Sequence, residues 1–173
     1  MLVGLYWLVA AFGTKPTARR QSYASRARQL VLLILASAFL WWDRNLTMRF
    51  LPDAGWVVWI GFVLTVAGCA FAVWARAYLG SNWSGTVTVK KDHELICKGP
   101  YAIVRHPIYF GLLVGVAGTA LATGEVRAIF GFVLVVAGLY LKSRYEEQFM
   151  REQFNGEYVR YSHRVKRLIP FVL

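Results

Sequence analysis

The sequence predicts an all-α integral membrane protein: a polytopic helical bundle of about five transmembrane helices with a cytoplasmic C-terminal helical tail. Three observations carry that expectation. They are long runs without charged side chains, an excess of apolar residues, and positive charge on every second connection. Of 173 residues, 57% are hydrophobic and 17% charged, against roughly 45–50% and 25% in soluble domains. The 20 Lys and Arg outnumber the 9 Asp and Glu, for a net charge of +11. So much apolar mass excludes a disordered chain, and two cysteines exclude a disulfide scaffold. A soluble nucleic-acid binder would explain the charge but not the uncharged runs. Membrane lipids are therefore expected partners, and nucleic acid is not.

The spans follow in order. A crossing needs about 20 residues at 1.5 Å each. The stretches 30–42, 54–75, 107–123 and 128–141 carry no Asp, Glu, Lys, Arg or His. The second is long enough alone. The third is shorter, and Gly111, Gly115 and Gly118 let a neighbouring helix approach closely. The first and last borrow flanking residues that snorkel to the interface. The apolar start, residues 2–13, is read as a thin first span rather than a signal peptide, since it lacks a basic n-region. Pro52, Gly55 and Gly124 mark tight turns.

Charge then sets the orientation. The connections 14–29, 43–53, 76–106, 124–127 and the tail from 142 carry net charges of +5, zero, +3, zero and +3. That is the positive-inside pattern of five spans, with the N-terminus outside and the C-terminus inside. The tryptophans at 41, 42, 56, 59, 74 and 83 read as interfacial anchors or lipid-facing packing. With no repeat, the chain is one domain over residues 1–173. Its polar chemistry gathers in two stretches on the cytoplasmic face.

The first stretch ends in Gly99-Pro100-Tyr101, then Arg105-His106-Pro107-Ile108-Tyr109-Phe110-Gly111. Gly99-Pro100 predicts a turn. Pro107 suits the first turn of a helix, where a missing N–H costs nothing. The helix start, with its positive dipole end, then lies beside Arg105 and His106 and favours an anion. A plainer reading has Arg105 meeting headgroups and His106 capping the helix. The second stretch holds Lys142, Arg144, Glu146 and Glu147. Lys142 and Glu146 are four apart and share a helix face; an ordinary solvated charge run is the alternative. Cys97 has no acid–base partner nearby, and His93, His106 and His163 lack ligand spacing, so no metal site is expected. There is no Gly-rich nucleotide loop.

Together these residues resemble the membrane methyltransferases related to isoprenylcysteine carboxyl methyltransferase and the phospholipid methyltransferases. The resemblance rests on His93-x-Leu95, Gly99-Pro100-Tyr101 and Arg105-His106-Pro107-x-Tyr109-x-Gly111. Glu146-Glu147, Phe154-Asn155-Gly156-Glu157-Tyr158, Tyr161 and Ile169-Pro170 follow. It covers 79–171, the motif-bearing catalytic part of the domain. It implies S-adenosyl-L-methionine as cofactor, with S-adenosyl-L-homocysteine as product. It places His93, Glu94, Leu95, Ile96, Tyr101, Arg105, His106, Pro107, Ile108, Tyr109 and Glu146 at the cofactor and Lys142 at the acceptor. No catalytic residue is singled out, because displacement on a sulfonium-activated carbon mainly needs alignment and exclusion of water. The implied activity is methylation of a lipophilic or prenylated acceptor, foremost an isoprenylcysteine carboxyl group, with a phospholipid amine or a small thiol as alternatives. Two other classes stay open: a sterol-reductase-like protein holding reduced nicotinamide (NADPH), and a non-enzymatic membrane subunit.

Overall fold

The structure, a computed structural model, describes residues 17–20, 23–41, 48–80, 88–90 and 95–172. The expected first span and the site candidates His93 and Glu94 lie outside them. Within them the chain is mostly helical: α1 (Tyr23–Trp41), α2 (Gly55–Leu79), α3 (Pro100–Ile103), α4 (Pro107–Thr123) and α5 (Val126–Arg164). The all-α expectation needs one addition. Strand β1 (Thr17–Arg20) pairs antiparallel with β2 (Thr88–Lys90). Backbone pairing of two basic connections leaves no sequence signature as strong as an apolar run.

Helix α2 packs along α4, α4 against α5, and α5 against α1. Two helices, α2 and α5, are long and apolar enough to cross a membrane. In α2 the outward residues are large and apolar, with Trp59 67% and Val63 60% exposed. A face of this kind suits lipid rather than water. The chain is an integral membrane protein.

Small residues fix the α2–α4 contact. A Cβ built on Gly68 would stand 2.4 Å from the Gly115 amide nitrogen and 2.5 Å from the Gly111 oxygen. The backbones therefore meet directly, as small residues permit in membrane helices. Thr65 fastens the contact, its hydroxyl donating to the Gly61 oxygen at 2.8 Å and the Gly115 oxygen at 3.2 Å. A second apolar cluster joins α1, α4, α5 and the chain end through Ala36, Tyr109, Leu113, Val135, Leu139 and Leu168.

Alternate connections meet at the same end of the bundle. The Phe50 amide donates to the Gly124 oxygen and the Val126 amide to the Met48 oxygen, each at 2.9 Å. These join the two connections of zero net charge. The β1–β2 pair joins two basic ones, and the Arg105 amide donates to the Lys166 oxygen at 2.8 Å. The C-terminal part is helical, as the continuation of α5 and a further helical piece beyond its kink. Helix α5 runs 39 residues, past the apolar stretch, and breaks at Asn155 (φ 41°, ψ −123°). Beyond the break, Tyr161 and Ser162 reach the Tyr101 carbonyl and the Arg105 side chain.

Candidate active site

Two local structures bring the polar residues together. Gly99, at φ 59°, turns the chain into α3, and Pro100 opens that short helix. Val104 is extended, His106 is the residue before α4, and Pro107 is in its first turn. The sequence reading of a turn followed by a helix start holds. The Arg105–His106 turn is clamped from outside by the strap 165–168, because the His106 amide also donates to the Arg167 oxygen at 3.0 Å.

From α5, Glu146 and Glu147 point at this turn in different ways. The Tyr109 hydroxyl donates to Glu146 Oε1 at 2.5 Å. His106 Nδ1 lies 3.3 Å from Glu146 Oε2, and the Glu146 side chain keeps 20% exposure. The His106 and Tyr109 rings stack at 5.3 Å and 3°. Lys142 Nζ sits 5.4 Å from the centre of the Tyr109 ring, so Lys142, Tyr109, His106 and Glu146 form one group. Tyr101 is nearby and buried, its hydroxyl donating to the Ala75 oxygen at 3.4 Å. Its own carbonyl accepts from the Tyr161 hydroxyl at 2.6 Å.

Glu147 is 2% exposed and faces cations. Its Oε1 accepts from Arg105 Nε at 2.8 Å and lies 2.8 Å from Arg105 Nη2. Its Oε2 accepts from Arg167 Nη2 at 3.0 Å. Arg105 Nη1 donates to the Ser162 and Val165 oxygens, each at 2.6 Å. The guanidinium expected at the cofactor is thus committed to Glu147 and to two carbonyls. Its donors are largely spent there, with Nε and Nη2 both on the one oxygen Oε1, and charge-assisted contacts of this kind are stronger than neutral ones.

His106 lies between the two carboxylates. Its Nε2 is buried and makes no hydrogen bond, although Glu147 Oε1 is 3.4 Å away. Burial alone would lower its pKa, but the two neighbouring glutamates outweigh burial and raise it above the ordinary histidine value. The two carboxylates favour the protonated form of the ring.

Leu95 and Ile96 are half-buried, while Pro107, Ile108 and Tyr109 occupy the first turn of α4. Sequence reasoning placed Tyr158 and Tyr161 in the motif without a role in the site and left out Arg167. All three lie beyond the apolar runs, on the C-terminal side of the break at Asn155. Phe154-Asn155-Gly156 was the available signal, since Asn and Gly tolerate positive φ. Among the described residues no group of His, Cys, Asp and Glu is arranged to hold a metal ion.

Comparison with known proteins gives a consistent picture. The model of the phospholipid methyltransferase family matches residues 56–157. Protein-S-isoprenylcysteine O-methyltransferase B of Arabidopsis thaliana is 28% identical over 120 residues, covering 68% of this chain and 61% of that protein. The corresponding Saccharomyces cerevisiae enzyme is 29% identical over 155 residues, covering 88% and 64%. The chain thus spans a little over three fifths of the length of these relatives. A solved eukaryotic intramembrane Ras methyltransferase, isoprenylcysteine carboxyl methyltransferase, superposes with a TM-score of 0.61 at 24% identity. The match covers 86% of this chain and 52% of that one, and it shows the fold. With the family's model matching more than half of its residues, this chain belongs to the phospholipid methyltransferase family.

Proposed function

We propose that the protein is an S-adenosyl-L-methionine-dependent methyltransferase whose acceptor is lipophilic, foremost a carboxyl group of the isoprenylcysteine type. The observation that carries the reading is the convergence of Glu146, His106 and Tyr109 at the start of α4, in a chain of this family. The likeness to the isoprenylcysteine enzymes supports the acceptor class.

The residues present fit the cofactor. Glu146 keeps a reachable carboxylate, able to accept from an ammonium or an adenine amino group. His106 stands with its ring between Glu146 and Glu147 at the start of α4. The start of α4 leaves N–H groups outside its own ladder and directs a positive dipole end at the tail carboxylate. Leu95, Ile96, Tyr101, Pro107 and Ile108 would line the rest. His93 and Glu94 are proposed on the resemblance alone. Arg105 enters the proposal in a changed role: it holds the turn rather than the cofactor.

When bound, the cofactor supplies a methyl group on an electron-poor carbon. The chain's own residues do the remaining work. Glu146, His106 and the α4 start orient the donor, the buried Tyr101 and Tyr109 keep water out, and Lys142 meets an acidic acceptor. A fixed near-attack geometry of this sort lowers the barrier by removing orientational entropy. A phospholipid amine is the second acceptor reading, favoured by the description of the matching family. That amine must lose a proton, and His106, Glu146 and Glu147 are the groups that would assist.

The proposal includes five spans with the site facing the cytoplasm, supported by the alternating charges and by the pairing of alternate connections. Engineered thiols at Ser84 and Ser162 should be protected from an impermeant reagent in intact cells, and one at Thr47 labelled. Labelling at Ser84 from outside would overturn the orientation. For the activity, purified protein incubated with a lipid extract and labelled donor should methylate a lipophilic acid. Label confined to amine headgroups would favour the second acceptor, and no transfer to any lipid would contradict the proposal.

A further inference from the structure

We infer that Glu147 is the positioning residue of this site: its carboxylate ties the Arg105–His106 turn to the C-terminal strap and holds the proton on the His106 ring. The inference rests on the methyltransferase reading only for what the ring serves, since the tie itself is a matter of geometry. The two adjacent glutamates thereby divide the labour. Glu146 is partly exposed and faces Tyr109 and His106. Glu147 is 2% exposed and faces two guanidinium groups.

The strap is joined to the turn three times over. The Arg105 amide donates to the Lys166 oxygen and the His106 amide to the Arg167 oxygen. Arg105 Nη1 spans to the Ser162 and Val165 oxygens. Arg167 and Arg105 meet on the one Glu147 carboxylate. Leu168, 1% exposed, anchors the strap in the apolar cluster. Neutralising Glu147 would leave both guanidinium groups without their shared anion, in a place where an unpaired charge is costly.

The ring of His106 is held by the same carboxylate. Glu146 and Glu147 of α5 face its two nitrogens at 3.3 and 3.4 Å, and Tyr109 of α4 stacks on it. Arg105 and Arg167 bear on it through Glu147. Lys142 of α5 lies beyond, over the Tyr109 ring, and Tyr101 of α3 lies near Glu146. With two arginines so near, the two carboxylates are the groups that favour a protonated imidazole. Opposite charges a few ångströms away shift a pKa by about 1–3 units, and like charges shift it the other way.

The experiment follows the 15N and 13C ring resonances of His106 in labelled full-length protein against pH, without cofactor. The His106→Gln spectrum identifies them among the three histidines. The wild-type midpoint should lie above the ordinary value of about 6.5. Glu147→Gln should lower it by about one unit or more, Arg167→Gln should raise it, and Glu147→Asp should stay near the wild type. S-adenosyl-L-homocysteine binding, measured over the same pH range, should move with the ring. An unmoved midpoint in Glu147→Gln, or equal shifts of one sign in the Gln variants at 147 and 167, would overturn the inference. If Glu147→Gln fails to fold, Arg167→Gln decides by the presence or absence of the upward shift. Midpoints that move as expected in a protein that binds no S-adenosyl-L-homocysteine would uphold the positioning role and refute the methyltransferase reading.

Discussion

Replacing Gly68 by Ala places a methyl carbon 2.4 Å from the Gly115 nitrogen and 2.5 Å from the Gly111 oxygen. Carbon touches such atoms at about 3.5 Å or more, so α2 and α4 must separate by roughly 1 Å. The obstacle is backbone on both counts, and no side chain can swing aside. A gap of that size forfeits a quarter to a half of each dispersion contact along the seam. Overpacking typically costs about 1–3 kcal/mol, and this case belongs at the upper end. Gly115→Ala on the facing helix is the matched control. There the nearest atoms, the Thr65 oxygen and Cys69 Sγ, are 3.7 and 3.8 Å away, which is ordinary contact. Helix propensity favours Ala by up to about 1 kcal/mol, so Gly115→Ala should be neutral or stabilising. Thermal unfolding in one detergent, read by circular dichroism, compares both variants with the parent. A tolerated Gly68→Ala, or equal losses for the two, would refute the direct backbone contact.

Three further outcomes are expected. Glu146→Gln removes charge-assisted hydrogen bonds worth about 1.5–3 kcal/mol, so cofactor affinity should fall roughly 10- to 150-fold in calorimetry while the protein stays folded. Lys142→Met should raise the acceptor KM or lower turnover and leave cofactor affinity nearly intact; equal loss of both would make Lys142 a partner of Glu146 only. Asn155→Gly should stabilise by up to about 1 kcal/mol, because φ 41° with ψ −123° suits glycine, whereas Asn155→Val should destabilise by more; equal melting temperatures would refute strain at the break.

The helices on either side of the site were legible because apolar length and a Pro at a helix start are local signals. The 107–123 run is α4 to the residue, the 54–75 run falls on α2, which continues to Leu79, and Gly99-Pro100 does form the turn. The close approach expected at Gly111, Gly115 and Gly118 is real. Their partners Gly61 and Gly68 needed the structure, since an apolar run does not say which face meets which helix. The full length of α5 was not legible, because polarity sets in at Lys142 and hydropathy ends a span there although the backbone continues. Arg105 shows the sharper limit. Its place in the motif suggested an anion site, and the anion it meets is Glu147, 42 residues away. Charge complementarity across that distance has no periodicity to reveal it. Arg167 and Leu168 follow the kink at Asn155 and the helix end at Arg164, neither of which an apolar pattern marks.

Binding of S-adenosyl-L-homocysteine to the full-length protein in lipid nanodiscs tests the central claim most directly, with NADPH titrated in parallel. The account predicts one saturable site for the methyl-donor product, weakened in Glu146→Gln, and no comparable binding of the nicotinamide. Undetectable S-adenosyl-L-homocysteine binding by folded protein, or an affinity indifferent to Glu146, would contradict it.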